Sequence, residues 1–232
     1  METNGQNSAL SILSYLPTLV RLFIVSGLIL WNLDALTWSE IVWIGFPYTT
    51  VFVRLPFSLR NQGNVVTVDH KTLQERALMG GMVLAMWVLP VIYVVTKGTS
   101  WDILAFANYS LPFVATLIGA LLLPPYAYLF WKSHADLGRN WSPSLEMRER
   151  HTLVVNGIYK RVRHPMYAAL WLIAIAQPLL IHNWIAGGMM FVAFSALYCL
   201  RVSKEEKMML DEFGSEYRDY MARTGRIFPR FS

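Results

Sequence analysis

The sequence predicts an all-α integral membrane protein of about six transmembrane helices, in which a C-terminal helical hairpin, a long cytosolic loop and the tail form a pocket. Three observations predict it. Of 232 residues, 55% are hydrophobic and only 15% are charged, less charge than a water-soluble domain of this length carries. The apolar residues gather into runs near the ~20 needed to cross a bilayer. Basic residues then alternate from loop to loop, as they do when successive loops lie on opposite sides of a membrane.

The apolar segments are expected at residues 15–33, 41–57, 77–96, 111–131, 166–182 and 184–200. Residues 1–14 hold no Lys or Arg, and no small-residue cleavage site follows the first run, so it reads as a retained span and not a signal peptide. Gly, Pro and aromatic residues inside the runs are compatible with helices, because only a helix satisfies every backbone polar group of a single span in lipid. Pro90 in the third segment and Pro124-Pro125 in the fourth should kink their helices.

The loops set the orientation. Residues 59–76 carry Arg60, Lys71 and Arg76, and residues 132–163 carry Lys132, Arg139, Arg148, Arg150, Lys160, Arg161 and Arg163. Residues 32–40 have acids and no bases, residues 97–102 have one base, and His182-Asn183 has none. Alternation puts both termini, the long loop and the tail from Arg201 in the cytosol. The last two segments are joined only by His182-Asn183, which makes a tight antiparallel hairpin and brings the His164 region beside residues 201–206. The chain thus divides into four N-terminal helices (1–131) and a cofactor-binding region (132–232).

The formal net charge of +5 does not require nucleic acid, since the basic residues line membrane flanks. The lone Cys199 excludes an intramolecular disulfide and reads as a small buried packing residue. The five histidines show no HExxH or CxxC partner, so no metal site is expected. GxGxxG, P-loop and G-x-S-x-G patterns are absent as well.

Two constellations carry chemistry. Pro165 suits the first turn of the fifth helix, where the free amides and the dipole favour an anion, with Arg163 and His164 just ahead of them. The simpler account of Lys160, Arg161 and Arg163 alone is anchoring in lipid headgroups; Gly157, Tyr159 and Tyr167 around them favour a site. Arg201, Glu205 and Glu206 leave the sixth segment at the same surface. Arg201 and Glu205 share a helix face and form, at the least, a surface salt bridge. Two carboxylates there suit an amine, a sulfonium or ribose hydroxyls, and adjacent residues about 100° apart leave one of them facing a ligand. Leu137-Gly138-Arg139-Asn140-Trp141 is a weaker signal, and the Phe213–Tyr220 stretch is amphipathic and should pack across the cytosolic end.

At these residues the chain resembles the isoprenylcysteine carboxyl methyltransferase family, membrane enzymes that use S-adenosylmethionine. The matching run is His151-Thr-Leu-Val-Val-Asn-Gly-Ile-Tyr-Lys-Arg-Val-Arg-His-Pro-Met-Tyr167, followed by Glu205-Glu206, Tyr217, Tyr220 and Thr224-Gly-Arg-Ile-Phe-Pro229. The likeness is close over about the last hundred residues, is nearest to short prokaryotic members, and leaves the first span as an addition. It implies that His151, Leu153, Val154 and Gly157 wrap the adenosyl group, and that Tyr159, Arg163, His164, Pro165 and Tyr167 form the loop–helix junction. Glu205 and Glu206 match the paired acids, with Arg201 facing the acceptor carboxylate. The implied reaction moves a methyl group from S-adenosylmethionine to a lipophilic or lipidated acceptor within membrane lipids, leaving S-adenosylhomocysteine. Alternatives are an amine or thiol acceptor, an NADPH-dependent sterol-type reductase on the same fold, and a non-catalytic lipid-binding protein.

Overall fold

The computed structural model describes residues 23, 25–61, 66–69, 72–140, 146–148 and 152–230. Its helices are α1 (Trp38–Asn61), α2 (Leu73–Thr96), α3 (Phe113–Leu121), α4 (Leu123–Leu137), α5 (Pro165–Leu180) and α6 (Trp184–Arg223). Residues 25–31 are helical ahead of them, and residues 15–22 and 24 of the first expected span lie outside the described residues. Every later apolar segment falls on a helix. Among the described residues the fold is helical apart from a short antiparallel ribbon, in which β1 (Val66–Asp69) pairs with β2 (Glu146–Arg148) and ties together the two most basic loops. Such short strands carry too little periodicity to be read from sequence.

Among the described residues, α2, α3 with α4, and α6 are long and apolar enough to cross a bilayer. The apolar α5 is shorter, at 16 residues, and α1 carries Glu40, Arg54 and Arg60 along its 24 residues. Large apolar side chains turn outward on several helices: Phe52, Phe113, Leu121 and Val192 are all exposed. A water-soluble monomer does not leave such a belt uncovered. Trp43, Phe46, Tyr126, Phe130, Ile173 and Phe194 fill the interior instead. Cys199 departs from expectation: it is exposed on α6 and not buried, because it lies on the outward face with Leu200.

Pro90 and Pro124-Pro125 interrupt their helices, whereas Pro47 and Pro56 in α1 and Pro178 in α5 lie inside continuous ones. Pro90 lacks an N–H and its ring crowds the carbonyl four residues back, and α2 responds with a π-turn over Leu84–Val88. Ahead of Pro124-Pro125 the helix breaks at Leu122, between α3 and α4. Gly119 lets α3 approach α5 closely, since a Cβ there would sit 2.7 Å from Leu179 Cβ.

The hairpin turn is held by its own side chains. Asn183 Oδ1 accepts from the amides of Ile185 and Ala186, capping α6, while its Nδ2 donates to Leu104 O and Asn108 Oδ1. On the same side of the fold Glu40 is buried and receives Lys97 Nζ at 2.7 Å and Tyr93 OH at 2.9 Å. The single base of that loop is therefore consumed by the acid of the preceding one.

Candidate functional site

At the other end of the hairpin, the start of α5 meets the middle of α6. Arg163 Nε and Nη2 both lie 3.1 Å from Glu206 Oε1, and His164 Nε2 lies 3.3 Å from the same oxygen. His164 Nδ1 is 3.7 Å from Glu205 Oε2. Glu205 Oε1 accepts from Tyr167 OH and from Arg201 Nε, both at 2.7 Å. The two carboxylates thus have different roles. Glu206 is 4% exposed and is held by Arg163, His164 and Arg226. Glu205 is the more open side chain, at 21%. Burial pushes the Glu206 carboxyl up, but hydrogen bonds from His164 and Arg226 and the charges of His164 and Arg163 bring it down to about 2.

The tail builds the third side. Gly214, with φ of +54°, bends α6 so that residues 215–223 turn back under the hairpin. Tyr220 OH donates to Tyr159 O at 2.6 Å, and Arg163 Nη1 donates to Thr224 O at 2.5 Å and Met221 O at 3.2 Å. Arg163 N and His164 N donate to Gly225 O and Arg226 O. The backbone amides just ahead of α5 are therefore spent on the tail, and only the helix's own first amides remain to meet an anion. The amphipathic Phe213–Tyr220 stretch packs across this end, with Tyr217 and Tyr220 buried.

The loop of residues 152–160 closes the fourth side. Asn140 Oδ1 accepts from Thr152 N and its Nδ2 donates to Thr152 Oγ1, both at 3.1 Å, which docks the loop on the end of α4. Leu153 and Val154 are half-buried beyond it, while His151 and Trp141 lie outside the described residues. Gly157 has φ of +60° and opens the short turn Gly157–Lys160. Asp136 Oδ2 accepts from Ile158 N at 2.8 Å, and a Cβ on Gly157 would sit 2.1 Å from that oxygen. Gly157→Ala is expected to cost about 2–3 kcal/mol, from left-handed strain plus the displaced hydrogen bond. Thermal unfolding in detergent measures it. Combining it with Asp136→Ala should cost less than the sum of the two single changes; full additivity would show that the clash is not the cause.

Glu75 and Arg226 complete the cluster; the sequence reading missed Glu75, and it placed Arg226 in the Thr224–Pro229 run without giving it a site role. Thr72 Oγ1 caps α2 by accepting from Glu75 N, and the Glu75 carboxylate lies 2.9 Å from Arg201 Nη1. Arg201 is therefore held between Glu75 and Glu205. The Thr72-x-x-Glu75 capping pattern was visible in the sequence; nothing local linked it to Arg201. Among the described residues no group of three or more His, Cys, Asp or Glu side chains is placed to hold a metal ion.

Comparison with known proteins bears on this segment. Residues 117–211 match the isoprenylcysteine carboxyl methyltransferase (ICMT) family. The ICMT segment holds Gly157, Arg163, His164, Arg201, Glu205 and Glu206, so the resemblance drawn from those residues is shown. The chain is 32% identical over 75 residues to the protein-S-isoprenylcysteine O-methyltransferase of Dictyostelium discoideum, covering 32% of each chain. It is 34% identical over 73 residues to methanethiol S-methyltransferase 1 of Bradyrhizobium diazoefficiens, covering 31% of this chain and 24% of that one. The matches thus span under half of these relatives' length. In fold, the chain is similar to the eukaryotic intramembrane Ras methyltransferase ICMT, with a TM-score of 0.53 and 18% identity over 89% of this chain and 74% of that one. Together with the apolar helices, this fold makes the chain an integral membrane protein.

Proposed function

We propose that the protein is a multi-pass membrane methyltransferase that transfers a methyl group from S-adenosylmethionine to the carboxylate of an isoprenylcysteine-like acceptor, giving a methyl ester. The observation that carries this reading is the meeting of Arg163 and His164 with Glu205 and Glu206, closed by the tail, inside the segment that matches the ICMT family. Six spans with cytosolic termini put that meeting point at the inner membrane surface, where a water-soluble donor and a lipid-borne acceptor have access to one place.

The donor set suits a cationic nucleoside. Leu153, Val154, Gly157 and His151 would lie along the adenosyl group, with Tyr159, Arg163, His164, Pro165 and Tyr167 at the junction. Bound S-adenosylmethionine supplies a methyl carbon made electrophilic by its sulfonium. Glu205, the more open acid, lends negative potential to that cation. Glu206, held by Arg163, His164 and Arg226, keeps the α5 start and the tail in register. Arg201, fixed by Glu75 and Glu205, presents positive charge to the acceptor side.

The acceptor carboxylate is ionised at neutral pH, so no general base is required. A carboxylate oxygen lone pair forms the new C–O bond as the S–C bond breaks, and its electrons return to sulfur. Catalysis then rests on alignment, which supplies roughly 7–11 kcal/mol in well-oriented reactions, and on exclusion of water from the carboxylate.

Two measurements test the reading. Calorimetry of the purified protein in detergent should show saturable binding of S-adenosylhomocysteine and no binding of NADPH; the reverse result selects a reductase. With labelled donor and a farnesylated N-acetylcysteine, the incorporated label should be released as methanol by base. Incorporation into a thiol or amine probe, with none into the farnesylated acid, would move the acceptor to that group; a thiol is the acceptor in the name of the Bradyrhizobium relative. No incorporation and no binding of donor product would leave the non-catalytic lipid-binding alternative.

A further inference from the structure

Glu75 reaches the site from outside the segment that matches the family. It stands in the first turn of α2, where Thr72 Oγ1 accepts from its amide, and it is buried. Glu75 Oε1 lies 2.9 Å from Arg201 Nη1 but off the N–H directions, so two charges meet there without an aligned hydrogen bond. A buried oxygen left in that state calls for a reason. Joining α2 to α6 is a weak one, because Lys204 Nζ already donates to Gln74 Oε1 at 2.6 Å across the same two helices. A buried ion pair adds little net stability besides, since desolvation offsets its attraction.

Charge balance is a stronger reason. Arg201 Nε donates to Glu205 Oε1 at 2.7 Å while Nη1 meets Glu75, so one guanidinium is divided between two carboxylates. Arg201 also lies within electrostatic reach of Arg54, which adds positive charge to that neighbourhood. Without the Glu75 charge, Glu205 alone would answer Arg201, and its own negative charge would be neutralised there. With Glu75 in place, Glu205, 21% exposed and beside His164 and Tyr167, keeps charge for a ligand. Tyr167 itself feels Glu205, Arg201 and Glu75 together. Charges in such a sheltered place are screened far less than on the surface.

We infer that Glu75 is a positioning residue: it offsets the charge of Arg201, leaves that of Glu205 for the donor, and so sets the preference of the donor site for a sulfonium over a neutral thioether. The inference rests on the methyltransferase reading for the identity of the donor. It puts a determinant of donor charge in the N-terminal half of the chain. The consequence is directional, because transfer removes the methyl group and with it the positive charge on sulfur. Spent S-adenosylhomocysteine then gives way to fresh S-adenosylmethionine.

Calorimetry in detergent without acceptor tests it, with S-adenosylmethionine and S-adenosylhomocysteine as the two probes. Glu75→Gln removes the charge and keeps the shape; it should weaken S-adenosylmethionine by about fivefold or more and S-adenosylhomocysteine by less than about twofold. Glu75→Asp keeps the charge and should hold the ratio of the two affinities within about twofold of the unaltered protein. Gln74→Ala, which cuts only the surface tie, should leave that ratio unchanged. Arg201→Gln should shift the ratio toward S-adenosylmethionine, and adding Glu75→Gln to it should bring the ratio back. That pair of variants decides the matter if Glu75→Gln alone does not fold, since the double variant leaves neither partner's charge facing an absent one. A merely structural Glu75 weakens both probes alike. An unchanged ratio in Glu75→Gln, a ratio lost equally in Glu75→Asp, or a double variant no different from Arg201→Gln overturns the inference. Failure of the methyltransferase reading looks different: the unaltered protein then binds neither probe and transfers no methyl group, and the inference falls with it.

Discussion

Glu206→Ala is expected to remove about 3–5 kcal/mol of stability, the cost of breaking a buried ion pair by deleting one partner. Glu206 is the single acceptor shared by Arg163, His164 and Arg226, and Arg163 itself is 9% exposed on its side chain. Its loss leaves the Arg163 charge without its carboxylate in a poorly solvated place. Arg163 keeps the carbonyls of Thr224 and Met221, which puts the expectation toward the lower end of the range. The tail should loosen at the same time, since Arg226 loses its partner. Binding of S-adenosylhomocysteine should fall tenfold or more.

Controls make this result specific. Lys207 and Asp211 form a pair one helical position away, but at 76% and 64% exposure. Lys207→Ala should therefore change stability by no more than about 0.5 kcal/mol. Arg163→Ala combined with Glu206→Ala should cost clearly less than the sum of the single changes, because the double variant buries no orphan charge at that contact. Unfolding of the purified protein in detergent measures all four. A Glu206→Ala variant as mild as Lys207→Ala would remove Glu206 from the centre of the site.

Much of this site was legible because its parts are consecutive in sequence or tied by a short hairpin. Residues 157–167 form one run, and the two-residue link His182-Asn183 forces that run against residues 201–206. The partners of Glu75 and Arg226 were illegible for the complementary reason, although Arg226 itself lies in the Thr224–Pro229 run. Each is brought in by packing between distant elements, α2 on α6 in one case and the returning tail in the other, and neither lies in a local pattern that names its partner. The helices were legible from apolar runs of near-membrane length, and their interruptions from Pro90 and Pro124-Pro125. That the break at Pro90 would be a π-turn was not, because the form a break takes depends on which groups stand ready to satisfy the freed carbonyls.

One such group is Gln177, and Gln177→Leu should be the most damaging change in the apolar interior. The side chain is fully buried in α5, and its Nε2 donates to Ala85 O and to Ala186 O, both at 2.9 Å. Ala85 lies in the π-turn of α2 and Ala186 in the π-turn that opens α6. A π-turn shifts the helical ladder by one residue and frees carbonyls from their usual donors. One amide thus serves two interrupted helices, while its Oε1 receives Trp43 Nε1 from α1 at 3.4 Å. Leu has similar volume, so the change isolates the polar loss from a cavity. Each orphaned group costs about 1–3 kcal/mol, but hydrogen bonds between membrane helices average nearer ~0.6 kcal/mol, since the unfolded chain finds other partners. Three contacts and two helix interruptions put the expectation at about 2–5 kcal/mol. Gln177→Glu, protonated in this setting, can donate to one carbonyl and should fall between the two. Unfolding in mixed micelles supplies the values, and hydrogen exchange at residues 84–90 and 184–190 supplies the location. If Gln177→Leu unfolds like the unaltered protein and exchange there is unchanged, the π-turns are held by packing and not by this side chain.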